Sequence, residues 1–250
     1  MFKDNRNRVC ALVVAEFEPK VSHLGRRNSA LDAAQHHMQS AIWQLSAGRA
    51  VLQSIDAQSF FLLDLRQAFF QSLGMNGWSK EQVIGTFTDA LRELGVDRIT
   101  KAVLTTRVFF STGMLHAEMV DLMPGTYLAP AETLDKVVDN LDDAYVKLNG
   151  TYEGCKVALE FAPMNPQDTE ASIMATNNLQ LFVKNALIDS RVKDFREQMG
   201  SDPTLFVQVE LSRDNLERGG FSGFVNQALT GAEVMTDRAV RHLKSLRPRR

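Results

Sequence analysis

Carboxylates are the side chains of this sequence best placed to do chemistry. Glu16, Glu160 and Glu210 each fall in a run with strand character, and each is directed away from the clearest apolar side of its run. If the three runs are neighbouring strands, these acids decorate one exposed sheet face together with Lys156 and Gln208. Such a face could hold a cationic or sugar-like ligand, or set up an acid–base pair. A one-sided sheet also needs polar residues on its outer face to stay in solution, and that need alone accounts for the same residues.

The other chemistries leave thinner traces. Gly219-Gly220-Phe221-Ser222-Gly223 stands between a strand and a helix, where helix-terminal amides can hold an anion, with Arg213 and Arg218 as charge partners. Its spacing fits no phosphate-loop fingerprint, and glycines also mark ordinary turns. The five histidines form no metal-binding spacing: His36 and His37 are adjacent, which on a helix points them about 100° apart. His116 and Glu118 would share one face of a strand, half of an acid–base pair. No Gly-x-Ser-x-Gly elbow occurs. Cys10 and Cys155 lie among apolar neighbours, which favours inert buried thiols over a nucleophile. The sequence thus gives no catalytic set, no metal site and no cofactor. For nucleic acid, Lys101, Arg107 and Phe109 would share one side of a strand, short of a full basic–aromatic signature.

Composition sets the frame. The 250 residues carry 28 basic and 30 acidic side chains, a net charge of −2 that leaves no whole-chain basic footprint. Hydrophobic residues make up 44% and charged residues 23%, so a packed core is expected. Basic clusters stand at Lys3-Arg6-Arg8, Arg26-Arg27 and Arg247-Arg249-Arg250. No apolar segment follows Met1, and Val9–Ala15 is too short to span a bilayer, so a cytoplasmic protein without a membrane partner is expected.

These residues must be positioned by alternating strands and amphipathic helices. The sequence predicts strands over Arg8–Glu18, Arg98–Ser111, Glu153–Ala162 and Thr204–Ser212. A helix from about Ser29 would carry Leu31, Ala34, Met38, Ile42 and Leu45 on one stripe. Ser59–Phe70 has no period and leans to helix in its second half. Ser79 and Gln82 form a capping box for a helix burying Val83, Ile84, Phe87, Leu91 and Leu94, and Gly95 closes it. Thr112-Gly113 reads as a hairpin turn into a strand Met114–Met123. Pro130 would open a helix running through Tyr145 and Leu148 to Gly150. Thr169–Ala175 reads as a short strand, followed by a helix from about Asn178 to Gly200. A closing helix holds Phe224, Val225, Ala228, Leu229 and Ala232, with Val234 and Val240 off its main stripe.

One pattern bears on organisation. Val13-Val-Ala-Glu16-Phe17-Glu-Pro19 recurs as Val157-Ala-Leu-Glu160-Phe161-Ala-Pro163, each run a few residues after a cysteine. A duplication would make these strands equivalent and central in the sheet, with Phe17 and Phe161 buried and both glutamates opposite. It would divide a single α+β domain of residues 1–250 into halves 1–150 and 151–250. The expected fold is α+β: an antiparallel or mixed sheet with helices packed mainly on one face. The expected function is non-catalytic, through macromolecular contact as a subunit, adaptor or inhibitor, with a protein partner or homo-oligomer. The alternatives are a nucleic-acid-associated subunit using Lys101 and Arg107, and a small-molecule enzyme using the acidic face.

Overall fold

A computed structural model of the chain describes residues 8–38, 41–46, 49–54, 59–72, 79–127, 143–176, 193, 197 and 202–245. The chain begins with β1 (Arg8–Glu16) and α1 (Val21–Gln35). Four strands follow: β2 (Ala41–Ser46), β3 (Arg49–Ser54), β4 (Ser59–Leu63) and β5 (Gln67–Ser72), then α2 (Lys80–Leu94). A second passage runs through β6 (Arg98–Ser111), α3 (His116–Tyr127), β7 (Val146–Tyr152), β8 (Cys155–Met164) and α4 (Pro166–Thr176). It ends with β9 (Thr204–Glu217), a single 3-10 turn at Arg218–Gly220, and α5 (Phe221–Ser245).

The fold is α+β, as the sequence predicts. Among the described residues nine strands form one antiparallel sheet in the order β2-β3-β4-β5-β1-β6-β9-β8-β7. One main core lies between the sheet and the helices, built from inward residues such as Val13, Leu52, Phe61, Phe70, Leu104, Phe161 and Val209 against Leu31, Phe87, Leu91, Met119, Phe224 and Val225. A chain of rings ties it together: Phe61 meets Phe87 edge-on at 5.2 Å, and Phe87 meets Phe221 at 4.8 Å.

The sheet order contains a repeat. Outward from the β1–β6 junction, each passage is a strand followed by a helix, then antiparallel strands the last of which pairs with that first strand, then a closing helix; in the second passage α4 stands between β8 and β9. β6 is therefore the counterpart of β1, and β8 that of β4. A duplication that made β1 and β8 equivalent would place them alike in the sheet, and the strand order places them differently. β1 is central while β8 lies next to the edge, and the like-ordered passages meet at Gly95–Asp97 rather than at residue 150. Phe17 and Phe161 are both buried, since each stands on the inward parity of its own strand.

The capped helix forms as expected: the Ser79 hydroxyl accepts from the Gln82 amide at 3.1 Å, the Gln82 side chain accepts from the Ser79 amide, and Gly95 takes φ 76°. β6 has the predicted bounds, and β9 continues five residues beyond its prediction. Val240 off the α5 stripe is buried in the core.

Several elements differ from expectation. α1 stops at Gln35, and Ile42 and Leu45 belong to strand β2, so the 31–45 stripe is a helix followed by a strand. Ser59–Phe70 is a hairpin rather than helix: every β4 residue is buried, which erases the alternation that marks a strand. Its turn is closed by Asp64, whose Oδ1 accepts from the amides of Arg66 and Gln67 at 2.7 and 2.9 Å. Met114–Met123 gives way to helix α3. Its core residues Met119, Val120 and Met123 follow helical spacing, and the Glu118 carboxylate accepts from the Leu115 amide at 2.9 Å. Leu148 and Gly150 lie in strand β7 rather than a helix, and Thr169–Ala175 lies in helix α4 rather than a strand. The Pro130–Leu141 part of one expected helix, and nearly all of the 178–200 helix, fall outside the described residues.

Candidate functional site

Strand alternation divides the predicted residues between two faces. With Leu205, Val207, Val209 and Leu211 turned inward, Gln208 and Glu210 of β9 point to the outer face. Register carries that face across the sheet. One row reads Lys147, Glu160, Gln208, Arg107; the next reads Asn149, Ala158, Glu210, Thr105, Leu12; the next, Thr151, Lys156, Ser212, Val103, Val14. Below them Asp214, Lys101 and Glu16 lie side by side.

The first row is a continuous hydrogen-bonded ladder. Lys147 Nζ lies 2.7 Å from Glu160 Oε1, Gln208 Nε2 donates to Glu160 Oε2 at 3.0 Å, and Arg107 Nε donates to Gln208 Oε1 at 2.5 Å. Four strands thus each contribute one member, placed directly opposite the next by register. Partial burial alone would raise the Glu160 pKa. Hydrogen bonds from Lys147 and Tyr145 and the charges of Lys147 and Arg107 outweigh it, so the carboxyl titrates below its ordinary value. Tyr145 is pushed up to about 12, first by burial and then by its bond to Glu160. Lys147 is raised by its hydrogen bond to Glu160. Four residues along β8 from Glu160, Lys156 Nζ holds Asp214 at 2.5 Å and lowers its pKa through that bond.

The three predicted glutamates do share this face, but they do not converge. Glu160 and Glu210 are diagonal neighbours, with Cα atoms about 7–8 Å apart by strand geometry. Glu16 is three strands and six residues from Glu160, roughly 25 Å away. Glu160 is held ionised, the opposite of what a general acid requires. Lys101, Arg107 and Phe109 also share the outer face, yet Phe109 is fully buried and meets Phe206 at 5.3 Å, so neither ring is open for stacking on a base.

The glycine-rich segment spans the 3-10 turn after β9 and the first turn of α5, but its two arginines are engaged elsewhere. Arg213 Nη2 donates to the Glu153 carbonyl at 2.9 Å and to Gln227 Oε1 at 2.7 Å, pinning the β7–β8 turn to α5. Arg218 Nη1 donates to the Val96 carbonyl and pairs with Asp97 at 3.4 Å, pinning the end of β9 to the α2–β6 connection. His116 and Glu118 lie on a helix instead of one strand face. His37 Nε2 lies 2.7 Å from Asp89, which Arg92 also contacts at 2.9 Å. Cys155 is a buried free thiol.

Sequence reasoning missed two features. Tyr145 and Lys147 were assigned to a helix, although Val146-Lys-Leu-Asn-Gly-Thr-Tyr152 followed by Glu153-Gly154 carries a hairpin signal. The second is a cleft of about 260 Å³ at the ends of β1 and β6, bordered by Lys20, His23, Arg98, Thr100 and Asn215. Burial, with Lys20 and Arg26 nearby, lowers the His23 pKa and favours its neutral form. Among the described residues no group of three or more His, Cys, Asp or Glu side chains could hold a metal ion, and no helix is long and apolar enough to cross a membrane.

No protein-family model matches the chain, and no curated protein matches it.

Proposed function

We propose that this protein works by macromolecular contact, as a subunit, adaptor or inhibitor, and that its partner is a protein docking on the charged half of the outer sheet face. The observation that supports this reading is the Lys147–Glu160–Gln208–Arg107 ladder. It fixes charged groups on four paired strands, with Lys147 half exposed, Lys156 more open and Asp214 also exposed beside it. A flat array of preorganised, mutually neutralised charges gives register and selectivity to a large partner. Acidic and basic groups alternate on it, so a polyanion would have to approach Glu160, Glu210 and Asp214 as well as the lysines. That favours a protein over nucleic acid.

Size-exclusion chromatography with light scattering, comparing the tagged chain from its source with the purified chain, tests this. The expected result is a stoichiometric complex from the source that dissociates with Lys156→Glu or Glu160→Lys while the fold is retained by circular dichroism. Equal masses in the two preparations, or a complex indifferent to both reversals, would overturn the reading.

A further inference from the structure

The sheet ends at β7, and nothing among the described residues pairs with its outer side. Its five middle residues, Lys147 to Thr151, are all exposed. The exposure includes Leu148, which stands on the helix-side parity yet is 43% exposed, and Gly150, where an added Cβ would meet nothing within 4 Å. Among the described residues the strand is therefore open on its hydrogen-bonding edge and short of cover on its apolar side.

Which backbone groups point outward follows from the turn. β7 and β8 are joined by Glu153 and Gly154, with φ of 46° and 80°, a two-residue turn of the hairpin type with both central angles positive. The flanking pair Tyr152–Cys155 exchanges both hydrogen bonds, and the pattern alternates from there. Val146, Leu148, Gly150 and Tyr152 bond inward to β8. Lys147, Asn149 and Thr151 present their amides and carbonyls to the outside.

We infer that the β7 edge joins two copies of this chain, β7 pairing antiparallel with itself about a two-fold axis at Asn149. An isologous strand pair must match outward-facing residues with outward-facing residues. Centred on Asn149, all three do so: Lys147 lies opposite Thr151 of the second copy, and Asn149 opposite Asn149. On the helix-side face the same register sets Leu148 opposite Gly150 of the second copy, twice by symmetry. Each exposed leucine thereby faces the empty space over a glycine, at a close-spaced, non-hydrogen-bonded pair. No like charges face one another, because Lys147 is opposite a threonine and keeps its own Glu160. Centring on Leu148 instead sets the leucines against each other and leaves the glycines unfilled. This inference concerns the strand edge and stands without the docking face proposed above.

Light scattering on the purified chain at tens of micromolar tests it, with an expected mass twice that of the 27.9-kDa chain. Asn149→Pro removes an amide that bonds to none of the described residues, so this variant is expected to be monomeric. It should melt with the wild type at dilutions where both are single chains. Gly150→Val fills the space that Leu148 would occupy, with a residue suited to strands, and is also expected to be monomeric. If the proline variant fails to fold, the valine variant decides. A monomeric wild type, or a dimer that survives either substitution in a folded chain, overturns the inference. A wild type that stays single but accepts a strand from a different protein overturns it too.

Discussion

The two passages of the chain share one plan and differ in what they turn outward. From β1 to α2 and from β6 to α5, a strand, a helix, returning antiparallel strands and a closing helix follow in turn, with α4 inserted before the last strand of the second passage only. On the helix side both supply apolar residues to one core. On the other side the first passage places Val51, Phe60 and Leu62 in a separate buried apolar cluster against Phe69, whereas the second places Lys147, Glu160, Gln208 and Arg107 in a charged ladder. The helix-facing parity is fixed by packing, and the opposite parity is where each passage has acquired its own chemistry.

Breaking the shared core should have the largest effect. Phe87 touches Phe61 of the first passage and Phe221 of the second, so Phe87→Ala is expected to cost about 3–5 kcal/mol. Denaturant unfolding should then stay a single transition, and two resolved transitions would show that the passages unfold separately. On the outer face the passages should part company. Leu62→Ala in the apolar cluster is expected to cost about 2–5 kcal/mol by the same measurement. Glu160→Gln in the ladder should cost only about 1 kcal/mol, because Lys147 is half solvated. Equal losses at the two sites would erase the distinction.

The Glu160 change carries a second signature. Its folded pKa lies below the unfolded value of about 4.3, so its contribution is present above that pH and is lost as pH falls through the folded value. Melting temperatures between neutral and acid pH should therefore fall less steeply in Glu160→Gln than in the wild type. The smallest effect is expected for Lys156→Met, whose partner Asp214 is also exposed: a change within about 0.5 kcal/mol at neutral pH.

How much of this could be read from the sequence depended on whether one side of an element faces water. α2 carries its own caps and a single apolar stripe, and β6 and β9 contain long alternating runs, so all three were legible. β4 was not, because it is buried on both faces and lost its period. β2 was not, because Ile42 and Leu45 fall by accident on the helical spacing set by Leu31 and Met38. The acidic face was legible as parity, since Glu160 and Glu210 alternate with apolar neighbours. Its ladder was not, because register between strands distant in sequence decides that Lys147 meets Glu160 and Gln208 meets Arg107. The seven-residue echo does not predict position for a related reason: similar strand composition does not fix a place in the sheet order.

The placement of β1 has a consequence for synthesis. β1 is made before both of its neighbours and finishes in the middle of the sheet, paired with β5 on one side and with β6 on the other. The first passage can close on itself once α2 has emerged, with β1 as a bare apolar rim until β6 is made. A chain ended after Gly95 is thus expected to self-associate through that rim, visible as species larger than any the 250-residue chain forms at the same concentration. Translation speed across the α2–β6 connection sets how long the nascent protein remains sticky.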